Sequence, residues 1–99
     1  MSVHFFVRFQ PIAGKEAEFR EELLRVLEPT RAEPGCLTIA AFESLRQPPE
    51  FAIHSEWLDE AAFELHATLP HTVRFLGRAE ELPIHPVQGL RTKEIGVPL

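Results

Sequence analysis

Tyrosine and asparagine are absent from this 99-residue chain, and cysteine, tryptophan and methionine occur once each. A single cysteine, Cys36, excludes an intrachain disulfide and any CxxC metal or redox motif. No apolar run approaches the roughly 18–20 residues that a membrane-spanning helix needs. Ten basic residues stand against fifteen acidic ones, for a formal charge of −5. The lysines and arginines are scattered, so the clustered basic surface that nucleic acid or an anionic membrane requires is missing. GxGxxG, P-loop and GxSxG signatures are also missing, so an enzyme built on this chain is expected to work without a dinucleotide or nucleotide cofactor. The opening MSVHFFVRF has neither a charged n-region nor a cleavage site and reads as a strand; the cytoplasm is the expected location. No internal repeat, low-complexity tract or linker interrupts the chain, and residues 1–99 read as one domain.

What remains is an ordinary globular composition with an apolar aromatic set of eight phenylalanines and Trp57. A chain of this length buries roughly 60–70% of the surface its unfolded form exposes, so it gains from association. Val3, Phe5, Val7 and Phe9 alternate with His4, Phe6 and Arg8, the period of a strand with one dry face and one mixed face. From Lys15, the residues Phe19, Leu23, Val26, Leu27 and Thr30 recur at helical spacing, and Glu16, Glu18, Glu21 and Glu22 load the first turns with negative charge. Glu33-Pro34-Gly35 ends that helix, with Pro29 expected to kink or tighten its last turn. Cys36 to Leu45 is the second strand, with Leu37, Ile39 and Ala41 on one face. A turn with two prolines, Pro48 and Pro49, leads to a third strand from Phe51 to Trp57.

Asp59 is the expected N-cap of a second helix whose buried arc is Ala62, Leu65 and Leu69, with His66 just inside its edge. Pro70 is expected to end this helix and His71 to Arg78 to add a turn or two carrying Val73, Phe75 and Leu76. The last segment, Leu82 to Ile95, contains Pro83, Pro86 and Gly89 and reads as an edge strand. The apolar tail from Gly96 to Leu99 is suited to lie on a partner. The order β-α-β-β-α-β is the ferredoxin-like split βαβ arrangement, an α+β fold.

His66 and His71 are the candidate catalytic residues, because imidazole titrates near neutral pH and serves as general base or as donor to an oxyanion. The alternative is structural: His66 as a satisfied, partly buried residue and His71 as a cap on the broken helix. His4, His54, His66, His71 and His85, with Glu56, are the potential metal ligands. No pair has HxxxH or HExxH spacing, so no metal site is expected. His4, Arg8, His54 and Glu56 share a sheet face and read as an ion-pair network in a dimer interface. Cys36 reads as a buried small hydrophobe without an adjacent base.

Glu33-Pro34-Gly35-Cys36-Leu37, Glu56-Trp57, Ala61-Ala62-Phe63, and His66 followed by Pro70-His71, together with Gly14, resemble the antibiotic-biosynthesis-monooxygenase family over Val3 to Phe75. Within it, the resemblance is to the quinol-monooxygenase-like branch of dimeric α+β barrel proteins. It implies a homodimer with facing sheets and a pocket in each subunit between sheet and helices. It also implies cofactor-independent oxygenation of a small quinol or polyphenol by O₂. On that reading His66 or His71 is the base, and Trp57, Phe5, Val7 and Phe75 line the pocket. The heme-degrading branch uses an Asn, a Trp and a His at positions that fall near Val7, His66 and Leu76, so heme degradation is not expected. The polyketide-oxidising branch uses Asn and Tyr side chains, which this chain lacks. A relative acting on phosphorylated diketones would need a phosphate site, for which only Arg74 and Arg78 offer themselves. The alternatives are an isomerase or lyase of a small oxygenated metabolite, and a non-catalytic dimeric protein that binds an aromatic metabolite.

Overall fold

The computed structural model describes residues 2–82 and 88–97. Four strands and three helices follow in the order β1 (Val3–Phe9), α1 (Glu16–Arg31), β2 (Cys36–Glu43), β3 (Phe51–Trp57), α2 (Glu60–His66), α3 (Pro70–Glu81) and β4 (Gln88–Thr92). The strands pair antiparallel in the order β2-β3-β1-β4. This is the ferredoxin-like α+β arrangement expected from the alternation of periods 2 and 3.6. β4 lies at an edge, as expected, and ends at Thr92, short of Ile95. Pro83, His85, Pro86, Pro98 and Leu99 lie outside the described residues. Among the described residues, no helix is long and apolar enough to cross a membrane.

Antiparallel register places directly opposed side chains on one face. One face of the sheet therefore carries Phe5 opposite Ser55, Val7 opposite Ile53 and Gly89, and Phe9 opposite Phe51. Helices α1 and α3 cover this face. Phe19 is fully buried at the centre, with its ring 5.0 Å from Phe9, 5.3 Å from Phe51 and 6.2 Å from Phe75. Helix α1 continues through Pro29, and the Thr30 hydroxyl donates to the Val26 carbonyl at 2.7 Å. Arg74 of α3 donates to both Glu22 carboxylate oxygens, at 2.6 and 3.2 Å, and Arg78 donates to Glu18 at 2.8 Å. These pairs clamp α3 onto α1, and the Arg74 hydrogen bond holds the buried Glu22 carboxyl below its usual range. The two arginines that offered a phosphate site are thus engaged by carboxylates.

Three local expectations are corrected. Leu37 does not share the inward face of Ile39, because the β2–β3 register shifts between Cys36 and Thr38. That bulge makes Leu37 the extra residue and turns it outward. Leu65 is 62% exposed rather than buried. Helix α2 stops at His66, so a helical phase carried on to Leu69 runs past its end. Instead Phe63 turns inward and stacks on Phe5, with centroids 3.7 Å apart. Finally, Pro70 opens α3 at its first position, where its missing N–H costs nothing, and α3 runs on to Glu81. Asp59 does cap α2, its Oδ1 accepting from the Ala62 N–H at 2.9 Å.

Gly35 decides how closely α2 sits over the turn that follows α1. Its carbonyl accepts from the Leu58 N–H at 2.9 Å, and a methyl group built on it collides with the Ala62 Cβ. Gly35→Ala is therefore expected to lower stability by about 1–3 kcal/mol, since neither backbone can yield without moving α2. Urea unfolding checks this, and an unchanged midpoint contradicts the close approach.

Candidate functional site

A cavity of about 210 Å³ lies between the sheet and the helices. It exists because the sheet offers small residues there: Gly89 beside Val7, and Ser55 one row away. Ala67 extends the same small surface just past the end of α2. Its walls come from Val7, Phe9, Ile39, Ile53, Phe63, Phe75 and Leu76, with Val26 and Thr30 from α1. Among the described residues, no acidic or basic side chain other than His66 borders it. Two of its hydroxyls are already engaged. Thr30 donates to Val26, and Ser55 Oγ accepts from the Trp57 indole N–H at 2.9 Å. The polar edge left for a ligand is His66 with Thr72.

His66 closes α2, and its side chain is only 12% exposed. Its Nδ1 lies 2.7 Å from Glu33 Oε2 and 3.1 Å from Thr72 Oγ1. His71, the second residue of α3, brings its Nε2 to 2.8 Å from the same Glu33 oxygen. A carboxylate only accepts, so both hydrogen bonds require the proton on the imidazole: on Nδ1 of His66 and on Nε2 of His71. Nε2 of His66 is then the unprotonated nitrogen. Among the described residues, Nε2 has no hydrogen-bond partner, and no buried side-chain nitrogen or oxygen there is left without one. Burial pushes the His66 imidazole below its ordinary pKa, and the Glu33 carboxylate opposes that shift in part. The lowered pKa favours the neutral imidazole at neutral pH, oriented by a carboxylate.

Of the residues singled out from the sequence, His66, Val7 and Phe75 border the cavity. His71 does not border the cavity; it meets His66 through Glu33, with the two imidazole rings 5.9 Å apart. Trp57 and Phe5 stand behind the wall. Trp57 is 1% exposed, 4.5 Å from the His66 ring and edge-on to Phe63 at 5.8 Å. Phe5 lies beneath Phe63 and borders a separate surface hollow with Arg91 and Lys93. The sequence names Glu33 and Phe63 among the residues that carry the family resemblance but not as site residues, and it does not single out Thr72. Glu33 carried the only available signal, a carboxylate inside the helix-ending Glu33-Pro34-Gly35 turn. Glu33, His66 and His71 also place three metal-competent atoms within 4.8 Å of one another, a set that a search for ligand spacing on one helix does not find. Cys36 is partly buried, and burial raises its thiol pKa, which keeps it protonated.

On the opposite sheet face, His4 Nδ1 and His54 Nε2 are 2.9 Å apart with their rings stacked, and Glu56 accepts from Ser2 at 2.7 Å. Arg8 leaves this group to pair with Glu50. Phe6, Phe42 and Leu90 on this face are 45%, 56% and 62% exposed.

Comparison with known proteins agrees with this architecture. The family model described as antibiotic biosynthesis monooxygenase matches residues 2–78. YcnE of Bacillus subtilis, whose name carries a provisional monooxygenase assignment, is 30% identical over 88 residues, covering 89% of this chain and 90% of its own. The structure of Rv0793 from Mycobacterium tuberculosis superposes with a TM-score of 0.91 at 25% identity, covering 98% of both chains. SnoaB of Streptomyces nogalater, described as a cofactor-independent oxygenase, has a TM-score of 0.83 at 17% identity over 97% of this chain and 95% of its own. At that identity the likeness is one of fold.

Proposed function

The chain belongs to the antibiotic biosynthesis monooxygenase family, and from that premise we propose that it is a cofactor-independent monooxygenase of a small quinol or other polyphenolic aromatic. Family membership supports monooxygenase-type chemistry. The observation that carries the finer reading is the Glu33–His66 pair, 2.7 Å apart, with His66 at a polar edge of an apolar cavity. A cavity of 150 Å³ holds benzene, and drug-sized sites run from about 300 Å³. The space here suits a compact, uncharged aromatic.

The chemistry needs no electron source beyond the substrate. His66 Nε2 takes the phenolic proton, and the resulting phenolate passes an electron to O₂. The radical pair recombines at a ring carbon as a hydroperoxide. The imidazolium proton completes that hydroperoxide, and the freed imidazole takes the ring carbon's proton as the O–O bond breaks and returns it to the departing hydroxide as water. Quinol and O₂ thus give a hydroxyquinone and water. The apolar wall excludes solvent from the reactive species. Glu33 holds the His66 tautomer and stabilises the imidazolium that forms.

Oxygen uptake in chelator-treated buffer, with benzene- and naphthalene-based quinols, tests this. Saturable uptake above autoxidation is expected for at least one of them. Binding across the panel with no uptake above autoxidation contradicts the enzymatic reading and favours a metabolite-binding protein.

We also propose a homodimer formed through the Phe6, Phe42 and Leu90 face, with the His4, His54 and Glu56 network inside it. Exposed rings of this size, rimmed by polar groups, mark an association surface. Sedimentation equilibrium should find the native chain dimeric and Phe6→Glu monomeric. A monomeric native chain, or an unaffected dimer in the variant, contradicts the assignment.

A further inference from the structure

We propose that Glu33 Oε2, His66 Nδ1 and His71 Nε2 form a binding site for a divalent first-row transition ion of the zinc class. We further propose that an ion bound there silences the base. The second half rests on the function proposed above; the first does not.

Both imidazole nitrogens already converge on one carboxylate oxygen, at 2.7 and 2.8 Å, and the three atoms lie within 4.8 Å of one another. They come from three separate places in the fold: the turn after α1, the last residue of α2 and the second residue of α3. The close packing of Gly35 on Ala62 holds the first two together. The side chains of Glu33, His66 and His71 are 9%, 12% and 24% exposed, so an ion would be largely shielded from bulk water. Zinc holds imidazole nitrogen and carboxylate oxygen at about 2.0–2.2 Å, which puts neighbouring ligands of a tetrahedral site roughly 3.3–3.6 Å apart. Each nitrogen must therefore draw back from Glu33 by roughly 0.5–0.9 Å, and the two nitrogens, within 4.8 Å of each other, must close to the same spacing. Two imidazoles and one carboxylate select zinc, copper, nickel or iron over magnesium and calcium, which prefer oxygen alone. A cation would also neutralise a shielded carboxylate whose hydrogen bonds among the described residues come from two imidazole N–H groups.

The other histidine pair does not converge in this way. His4 meets His54 through Nδ1 and approaches Glu56 through Nε2, so its two partners lie on opposite sides of its ring.

Ion and proton compete for the same lone pair on His66. When Nδ1 binds a metal, the remaining proton of the neutral ring sits on Nε2. That is the nitrogen that must be empty to accept a proton from substrate, so the metal-bound site cannot act as a base.

Calorimetric titration of the untagged, chelator-treated chain with zinc chloride tests the site. One ion per chain is expected, with affinity reduced at least tenfold in Glu33→Gln and in His71→Ala and unchanged in His54→Ala. Magnesium chloride should give no saturable heat. Far-UV circular dichroism identifies the variants that fold, and if one does not, the other decides. No saturable zinc binding, binding unchanged in the folded variants, or loss in His54→Ala overturns the site. In parallel, quinol-dependent oxygen uptake should fall with the same zinc midpoint. Uptake that persists at saturating zinc overturns the silencing. Zinc binding by a chain that shows no uptake even when metal-free retains the site and overturns the silencing together with the monooxygenase reading.

Discussion

His66→Ala is expected to lower kcat for quinol-dependent oxygen uptake by about 10²–10⁴-fold, the range that removal of a positioned general base produces. The magnitude follows from how little else among the described residues at the cavity can take a proton. Ser55 and Thr30 are committed to Trp57 Nε1 and the Val26 carbonyl. Thr72 lies against His66 itself at 3.1 Å. His71 is turned toward Glu33 and does not border the cavity. The substitution also enlarges the space, so KM should move far less than kcat. Steady-state oxygen uptake measures both, and an unchanged kcat removes His66 from the chemistry.

Trp57→Ala is expected to cost about 3–5 kcal/mol of stability, the range for deleting a large buried aromatic. At 1% exposure the indole has no route to solvent, and it supports Phe63 and His66 from behind. In a chain of this length such a loss lowers Tm by well over about 10 °C. Trp57→Phe keeps most of the ring and gives up the hydrogen bond to Ser55, so its cost should be nearer 1–2 kcal/mol. Thermal unfolding of the two variants separates packing from hydrogen bonding. Equal losses contradict the role of the indole as a wall that other side chains lean on.

Element order was legible because alternation along β1 and β3 and helical spacing along α1 are long and regular. Where the pattern was short or interrupted, it misled. One inserted residue turned Leu37 outward, and nothing in the residues around it announces a bulge. The arc drawn through Ala62, Leu65 and Leu69 assumed one helix where α2 stops at His66 and Pro70 starts another. His66 was found because a polar residue on an inward arc is conspicuous. Glu33 was not, because its partnership with His66 spans 33 positions and depends on Gly35 letting α2 approach. The cavity was equally hidden. It is made by what is missing at Gly89, Ser55 and Ala67, and the sequence does not show which small residues will face one another.

A long-range ¹H–¹⁵N correlation spectrum of the metal-free chain at neutral pH, with and without a bound quinol, tests the Glu33–His66 pair most directly. The predicted spectrum shows a neutral His66 ring with its proton on Nδ1, and an Nε2 resonance that moves when quinol binds. A proton on Nε2, a doubly protonated ring in the free protein, or an Nε2 resonance indifferent to quinol contradicts the account.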